Sequence, residues 1–257
     1  MTTPWRLVVG GSRGIGAATV LALAGRGYPI VLTYRERADA ARSVAQQAEQ
    51  RGAAWVRPIQ LDLAEPKSAE ALAIDVIKEF GAPRSYLHCA GTVQRTSLWD
   101  TTIEDFTAHL TSNTVSVFAL LRSIGVAMHS SGGGSIVLVS SIIGAVGARH
   151  RVSYGAAKAA LLGLATCAAV ELAPTVRVNV VCPGVVATDV TQGLMADPSA
   201  LAALTERVPL MRLGEAAEVA DVLVFLAEDA SFVTGAVWSV DGGAVARISN
   251  PAGDPVR

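Results

Sequence analysis

The feature that most constrains this chain is a glycine cluster set between two contrasting patterns. The apolar run Arg6-Leu7-Val8-Val9 leads straight into Gly10-Gly11-Ser12-Arg13-Gly14-Ile15-Gly16, and a helix-forming stretch from Ala17 to Arg26 follows. So tight a turn between strand and helix needs positive φ at some positions, no Cβ where another group approaches, and close helix–sheet contact. Glycine meets all three needs. A helix starting there offers free N–H groups and a partial positive charge to an anion, so the turn reads as a phosphate cradle.

The same contrast recurs downstream. Short aliphatic or β-branched runs at 6–9, 30–34, 55–60, 86–90, 136–140, 176–181 and 237–240 alternate with helical patterns at 15–26, 38–51, 68–80, 102–128, 154–172 and 216–228. That rhythm predicts an α/β fold: a Rossmann-type, doubly wound, seven-stranded and mostly parallel sheet with helices on both faces. Hydrophobic residues make up 51% and charged residues 17%, the balance that a sheet covered on both sides requires. No linker rich in Pro, Gly or Ser divides the chain, so residues 1–257 read as one domain. The segment 188–213 mixes polar, Met and Pro residues and reads as a substrate-binding lid.

Lys plus Arg number 21 against 22 Asp plus Glu, with no long block of one sign, so neither a nucleic-acid partner nor a membrane-binding stripe is expected. The longest uncharged stretch, 130–148, is interrupted by Gly132, Gly133, Gly134, Gly144 and Gly147 and does not read as a membrane span. Cys89, Cys167 and Cys182 are odd in number and widely spaced. That excludes a disulfide framework, suggests no metal site, and makes a reducing cytoplasm the expected location.

The end of the second strand decides which dinucleotide the turn would serve. An acid there would bond the ribose hydroxyls of NAD and repel the extra phosphate of NADP. Thr33-Tyr34-Arg35 offers none, and Arg13 lies in the glycine turn, so two guanidinium groups converge on a 2′-phosphate. NADP(H) is expected over NAD(H).

Tyr154-Gly155-Ala156-Ala157-Lys158 places a phenol and an ammonium about one helical turn apart on one face. Ser141, closing the buried run Ile136-Val137-Leu138-Val139-Ser140-Ser141, lies thirteen residues before the tyrosine. With the Gly-x3-Gly-x-Gly spacing of the turn, this set resembles the short-chain dehydrogenase/reductase family, including its 3-oxoacyl-[acyl-carrier-protein] reductases, over roughly residues 7–243.

The resemblance implies hydride transfer between nicotinamide and a carbonyl or secondary-alcohol carbon. Tyr154 would be the proton donor or acceptor and Ser141 the donor to the substrate oxygen, with Lys158 and Asn113 completing the proton relay. Lys158 and a positive nicotinamide ring together would lower the phenol pKa by about two or three units. The cofactor would lie on Gly10, Ser12, Arg13, Gly14, Ile15 and Gly16, on Tyr34 and Arg35, on Asp62 and Leu63 at the adenine, on Ala90 and Gly91, and on Tyr154 and Lys158. Pro183, Gly184, Val186 and Thr188 would orient the nicotinamide carboxamide. Two departures stand out: Val9 where the family has Thr, and His88-Cys89 before Ala90-Gly91 where it has Asn-Asn.

Substrate identity is less constrained. Ile142, Ile143, Val146, Val185 and the lid suggest a mainly apolar pocket for a small carbonyl or alcohol, while Arg149, Arg151, Arg207 and Arg212 are candidates for a basic entrance that an acyl-carrier protein would prefer. From Ala156 to Val170 the helix, Lys158 aside, is apolar around nearly its whole circumference, which calls for a second cover and predicts a homotetramer or homodimer. A noncatalytic NADP-binding sensor on the same fold is the competing reading; intact Ser141, Tyr154 and Lys158 argue against it.

Overall fold

The computed structural model of the chain describes residues 4–246; the ends of the expected 1–257 domain, 1–3 and 247–257, lie outside the described residues. Seven strands build the main sheet: β1 (Arg6–Val9), β2 (Ile30–Tyr34), β3 (Val56–Gln60), β4 (Ser85–His88), β5 (Gly134–Val139), β6 (Val176–Pro183) and β7 (Val237–Val240). Every neighbouring pair is parallel, in the order β3-β2-β1-β4-β5-β6-β7. β1, Arg-Leu-Val-Val, and β4, Ser-Tyr-Leu-His, are buried throughout, as strands covered on both faces must be. Pro58, which has no N–H to give a ladder, is accommodated because β3 lies at an edge.

The helices are α1 (Gly14–Ala24), α2 (Ala38–Gln50), α3 (Pro66–Phe80), α4 (Ile103–Leu110), α5 (Ser116–Ser130), α6 (Val152–Glu171), α7 (Gln192–Met195), α8 (Pro198–Thr205) and α9 (Ala216–Val224). They divide the apolar core in two. Leu72, Leu120, Ile124 and Leu161 of α3, α5 and α6 pack on Leu7, Tyr86, Ile136 and Val178 from one face. Val20, Leu23, Val44 and Leu223 of α1, α2 and α9 pack on Val8, Leu32, Leu87 and Val137 from the other. Truncating a fully buried leucine such as Leu120 or Leu161 to Ala removes about 2–5 kcal/mol.

Strand order reverses between β2-β1 and β4-β5, which opens a crevice at the carboxyl ends of β1 and β4. β4 stops at His88, short of the expected residue 90, so Cys89 and Ala90 belong to the loop facing this crevice.

Other differences from the sequence reading concern where helices start and where they change pitch. α3 begins two residues early because Pro66 occupies its first turn, where the missing N–H costs nothing. The expected helix 102–128 contains a π-helical turn, Thr111–Val115, between α4 and α5. There the hydroxyls of Thr111 and Ser112 and the Asn113 amide donate back to the carbonyls of Thr107, Ala108 and His109, competing with the regular ladder. The helix expected at 216–228 likewise ends in a π turn, Phe225–Asp229.

The expected lid segment is itself helical, holding α7 and α8. α8 starts with Pro198 behind Asp197, whose carboxylate accepts the Ser199 and Ala200 N–H groups. A two-residue parallel ribbon, Val186–Ala187 against Gly214–Glu215, ties the two ends of the segment together.

By length and composition, residues 103–130 and α6 are apolar enough to cross a membrane; here each lays its buried side on the sheet.

Candidate active site

The glycine turn at the end of β1 forms one wall of the crevice, whose lining includes Gly10, Ser12, Arg13, Gly14, Ile15, Gly16, Tyr34, Arg35, Asp62, Leu63, Ala90, Gly91 and Thr188. Gly10 and Gly14 have φ of 81° and 53°, a region costly to side chains. A Cβ on Gly16 would lie 2.0 Å from the Gly10 carbonyl oxygen, and one on Gly10 would lie 2.8 Å from the Ala90 backbone. Gly11, absent from the expected site, is equally constrained: its Cβ would meet Leu32 at 2.8 Å.

α1 starts behind an extended Arg13, with no side-chain cap and no acid in its first turn, so its leading N–H groups are left for an anion. The hydroxyl lost at Val9 has a counterpart in the next strand. Thr33 Oγ1 accepts the Gly10 N–H at 3.0 Å, while Val9 itself is fully buried.

Arg13 and Arg35 both line the crevice. Arg35 pairs with the adjacent Glu36 at 2.8 Å, but both side chains are more than half exposed, and such pairs contribute only about 0–1 kcal/mol, so an incoming phosphate can displace the carboxylate. Asp62 uses one carboxylate oxygen to accept the Ala64 N–H at 2.9 Å.

Asn113, Ser141, Tyr154 and Lys158, with Pro183, Gly184 and Val186, lie beyond the lining of this cleft. Gly91 is the joint between the two parts. It lines the cleft, and a Cβ there would meet Asn113 Oδ1 at 2.9 Å and Lys158 Nζ at 3.1 Å. The sequence reading reserved this glycine for cofactor approach; packing against two side chains of the relay demands it as well.

Tyr154 and Lys158 sit in the first two turns of α6, with Lys158 Nζ 5.9 Å from the centre of the phenol ring. Lys158 is 4% exposed, and its ammonium donates to the Val139 carbonyl at 3.0 Å. Ser141 follows β5 and its Oγ accepts the Ile143 N–H at 3.2 Å, which leaves its own proton to give. The neighbouring Ser140 hydroxyl donates instead to the Lys158 backbone carbonyl, a structural tie.

Asn113, turned inward by the π turn, accepts the Thr92 N–H and donates to the Thr92 hydroxyl and the His109 carbonyl, joining α4 to the loop after β4. Gly184 lies so close to Asp241 that a Cβ would approach its Cα to 2.9 Å. Val186 is buried in the ribbon, and Thr188 closes over the glycine turn, its Cγ2 3.4 Å from where a Gly14 Cβ would stand.

Burial sets the charge at this centre. Burial pushes the Tyr154 phenol above its ordinary value, and the Ser141 hydroxyl and the Arg151 guanidinium draw it part of the way back. Lys158 stands over the ring as a second nearby cation. Lys158 is itself pushed down to about 8 by burial.

The two residues that replace the family's asparagines are neutral. Burial takes His88 down to about 3 and Cys89 up to about 12. His88 Nδ1 lies 2.8 Å from the Tyr86 hydroxyl, and its Nε2 has no partner among the described residues. His109 Nε2 is also unpartnered, its ring edge-on to Tyr154 at 6.2 Å. Sequence reasoning missed His109, Thr92 and Thr33. The signal for His109 was there, a histidine four residues ahead of Asn113 and so on the same helix face.

A phosphate turn, a switch-point crevice and a Ser–Tyr–Lys group beside it define a dinucleotide-dependent oxidoreductase. Residues 9–245 match the family model described as enoyl-(acyl carrier protein) reductase. The chain is 34% identical to the 3-oxoacyl-[acyl-carrier-protein] reductase of Synechocystis sp., over 95% of this chain and 98% of that one. It is 33% identical to the 3-oxoacyl-[acyl-carrier-protein] reductase FabG of Escherichia coli, over 92% and 95%. A short-chain type dehydrogenase/reductase from Mycobacterium ulcerans superposes with a TM-score of 0.88 at 30% identity, covering 96% of this chain and 91% of that one. The chain belongs to the short-chain dehydrogenase/reductase family, enzymes that act on CH–OH and C=O groups with a nicotinamide cofactor.

Proposed function

We propose that the protein is an NADP(H)-dependent oxidoreductase acting on a ketone or the matching secondary alcohol, with 3-oxoacyl thioesters the first substrates to try. The observation that carries the reading is the continuity of the site through Gly91: it lines one cleft with the glycine turn, Arg13 and Arg35, and it packs against Asn113 and Lys158 on its other side. The residues fit the cofactor. Gly10, Gly14 and Gly16 let the turn fold tightly enough to present the uncapped α1 N-terminus to pyrophosphate, and Arg13 and Arg35 suit a 2′-phosphate, with Glu36 outside the cleft lining. Asp62 would reach the adenine, and Pro183, Gly184, Val186 and Thr188 would frame the nicotinamide.

Held by these residues, a nicotinamide would supply or receive the hydride. Ser141 donates its hydroxyl proton to the substrate oxygen and so stabilises the negative charge that builds there. Tyr154 keeps its proton at neutral pH because burial favours the neutral phenol, and it delivers that proton to the same oxygen during reduction. Lys158, anchored on Val139, and Asn113, anchored on Thr92, hold the route by which the phenol is reprotonated. The 188–213 segment closes over the substrate. The exposed Val115, Phe118, Val126 and Val170 on α5 and α6 and the turn between α4 and α5 offer an apolar face for a second copy, in keeping with a cytoplasmic dimer or tetramer.

The test is consumption of NADPH and of NADH against ketones, 3-oxoacyl thioesters, sugars and quinones. NADPH oxidation with at least one carbonyl, lost in Tyr154→Phe, is the expected result. Tight NADPH binding with no turnover across the panel would favour the noncatalytic sensor.

A further inference from the structure

Tyr154 can deliver a proton only when its hydroxyl comes within about 2.6–3.2 Å of the substrate oxygen, so whatever fixes the phenol ring enters the chemistry. Two side chains stand beside that ring. Lys158 Nζ lies 5.9 Å from its centre, and the His109 ring lies 6.2 Å away with 66° between the planes, the edge-on arrangement that aromatic pairs favour. Lys158 is tied to β5 through the Val139 carbonyl, whereas His109 comes from the last turn of α4.

A bracket of hydrogen bonds holds that turn. The Asn113 amide donates one N–H to the His109 carbonyl at 3.1 Å and the other to the Thr92 hydroxyl at 2.9 Å, while its oxygen accepts the Thr92 N–H at 3.0 Å. Both amide donors are spent on these bonds. The Asn113 side chain therefore holds the backbone of the very residue whose ring lies against Tyr154.

The His109 ring carries an open nitrogen. The residue is 6% exposed, and its buried Nε2 has no partner among the described residues. A phenyl ring would pack edge-on equally well and avoid the cost of stripping water from that nitrogen, so packing alone does not account for an imidazole here. Burial, reinforced by the Lys158 charge, holds His109 below its ordinary 6.5 against a backbone hydrogen bond to Thr92; the ring is neutral at pH 7 and takes up a proton only in acid. The groups facing it are Tyr154 and Lys158 from α6, Thr92 from the loop after β4 and Asn113 from the π turn; Asp105, one turn earlier on its own helix, is exposed. A charged imidazole would thus meet an ammonium in a buried place and be driven towards water, and the phenol would lose its support.

We propose that His109 is a positioning residue for Tyr154, its ring fixing the plane of the phenol, and that Thr92 and Asn113 form the bracket that sets the ring there. The inference rests on the reductase reading, in which Tyr154 gives the proton.

The test measures kcat and the KM for NADPH across pH, on a ketone the enzyme reduces, for wild type, His109→Leu, His109→Phe and Thr92→Val, each corrected for its folded fraction by circular dichroism. In parallel the phenol is titrated by NMR in protein labelled at the hydroxyl-bearing ring carbon of its four tyrosines, the Tyr154 signal being the one lost in Tyr154→Phe. His109→Leu is expected to lower kcat about tenfold and to leave the KM for NADPH within about twofold, since His109 is not part of the crevice lining. It should also move the pH at which the Tyr154 phenol titrates. His109→Phe, which keeps the ring edge, should recover kcat to within about threefold at about pH 7.5 and lose less activity than wild type below pH 6.5, where only the imidazole can charge. Thr92→Val, which removes one strut of the bracket, should lose about threefold in kcat. Where His109→Leu does not fold, the Phe and Thr92 variants decide.

A His109→Leu kcat equal to that of wild type, a loss that appears only in the KM for NADPH, or an acid limb identical in wild type and His109→Phe would overturn the proposal and leave the reductase reading intact. A wild type that reduces no carbonyl would sink the reductase reading by itself, and the NMR titration then judges the positioning: a phenol titration moved in His109→Leu upholds it, and an unmoved one overturns it.

Discussion

The two edges of the sheet treat charge in opposite ways. At the amino edge, Arg6 is buried with Glu228 in a two-pronged pair at 2.7 and 3.1 Å, Ser85 adds a third hydrogen bond to the same carboxylate, and Tyr28 lies under the guanidinium. Arg177 is spread over three carbonyls, and Asn179 uses both ends of its amide. At the carboxyl edge, Lys158 is buried on a single carbonyl, and His88 and His109 keep nitrogens without a partner among the described residues. A buried polar group that is fully satisfied holds a fold together; one left open is costly and persists where a ligand or a reaction uses it. In an open parallel sheet the second kind belongs at the carboxyl ends of the strands.

Substitutions at the two edges should therefore separate activity from stability. The largest effect is expected from Tyr154→Phe: a fall in kcat/KM of about 10²–10⁴-fold, measured by NADPH oxidation, with the thermal midpoint nearly unchanged. A parallel loss of stability would mean that the tyrosine is structural. Next comes Glu228→Gln, which strands the Arg6 charge and should cost about 3–5 kcal/mol in urea unfolding while the folded fraction keeps its kcat. A loss of kcat at full stability would break the division between the edges.

Lys158→Met reverses the sign. The folded-state pKa of Lys158, about 8, is depressed below the ordinary 10.5, so the unfolded chain binds this proton more tightly. Below pH 8 both states are protonated and the fold bears the whole cost of the buried ammonium; between pH 8 and 10.5 that cost fades, and stability rises with pH. The inactive Lys158→Met variant should be more stable than wild type at pH 7, by about 2–3 kcal/mol at most, and the gap should close towards pH 10.5. A gap that is flat with pH would contradict the burial account. The smallest effect concerns the cofactor. Arg35→Ala should raise the KM for NADPH about tenfold and leave that for NADH within about twofold, and equal changes would remove Arg35 from the 2′-phosphate.

Much of this was legible in the chain because it depends on neighbours in sequence. The Gly10–Gly16 turn, the seven aliphatic runs and the Tyr154–Lys158 step are local patterns, and strand order follows once crossovers are right-handed. What stayed hidden depends on contacts between distant segments. No periodicity marks the π turn that turns Asn113 inward, because it arises from side chains bonding backward to the preceding turn. Gly91 reads as a cofactor glycine until Lys158, sixty-seven residues on, is seen packed against it. The burial that raises the Tyr154 phenol in the chain alone, and the Arg151 charge that opposes it, are likewise invisible in the helical step, which gives only the spacing to Lys158.

The most direct test of the central claim, that this crevice moves a hydride between NADPH and a carbonyl carbon, is isotope transfer. Wild-type protein is incubated with a ketone it reduces, or with the full carbonyl panel, and with NADPH deuterated at the transferring ring carbon, and the product is read by mass spectrometry. Deuterium at the new carbinol carbon in wild type, and none in Tyr154→Phe over the same interval, is the predicted result. An undeuterated product, or intact NADPH across the whole panel, would contradict it.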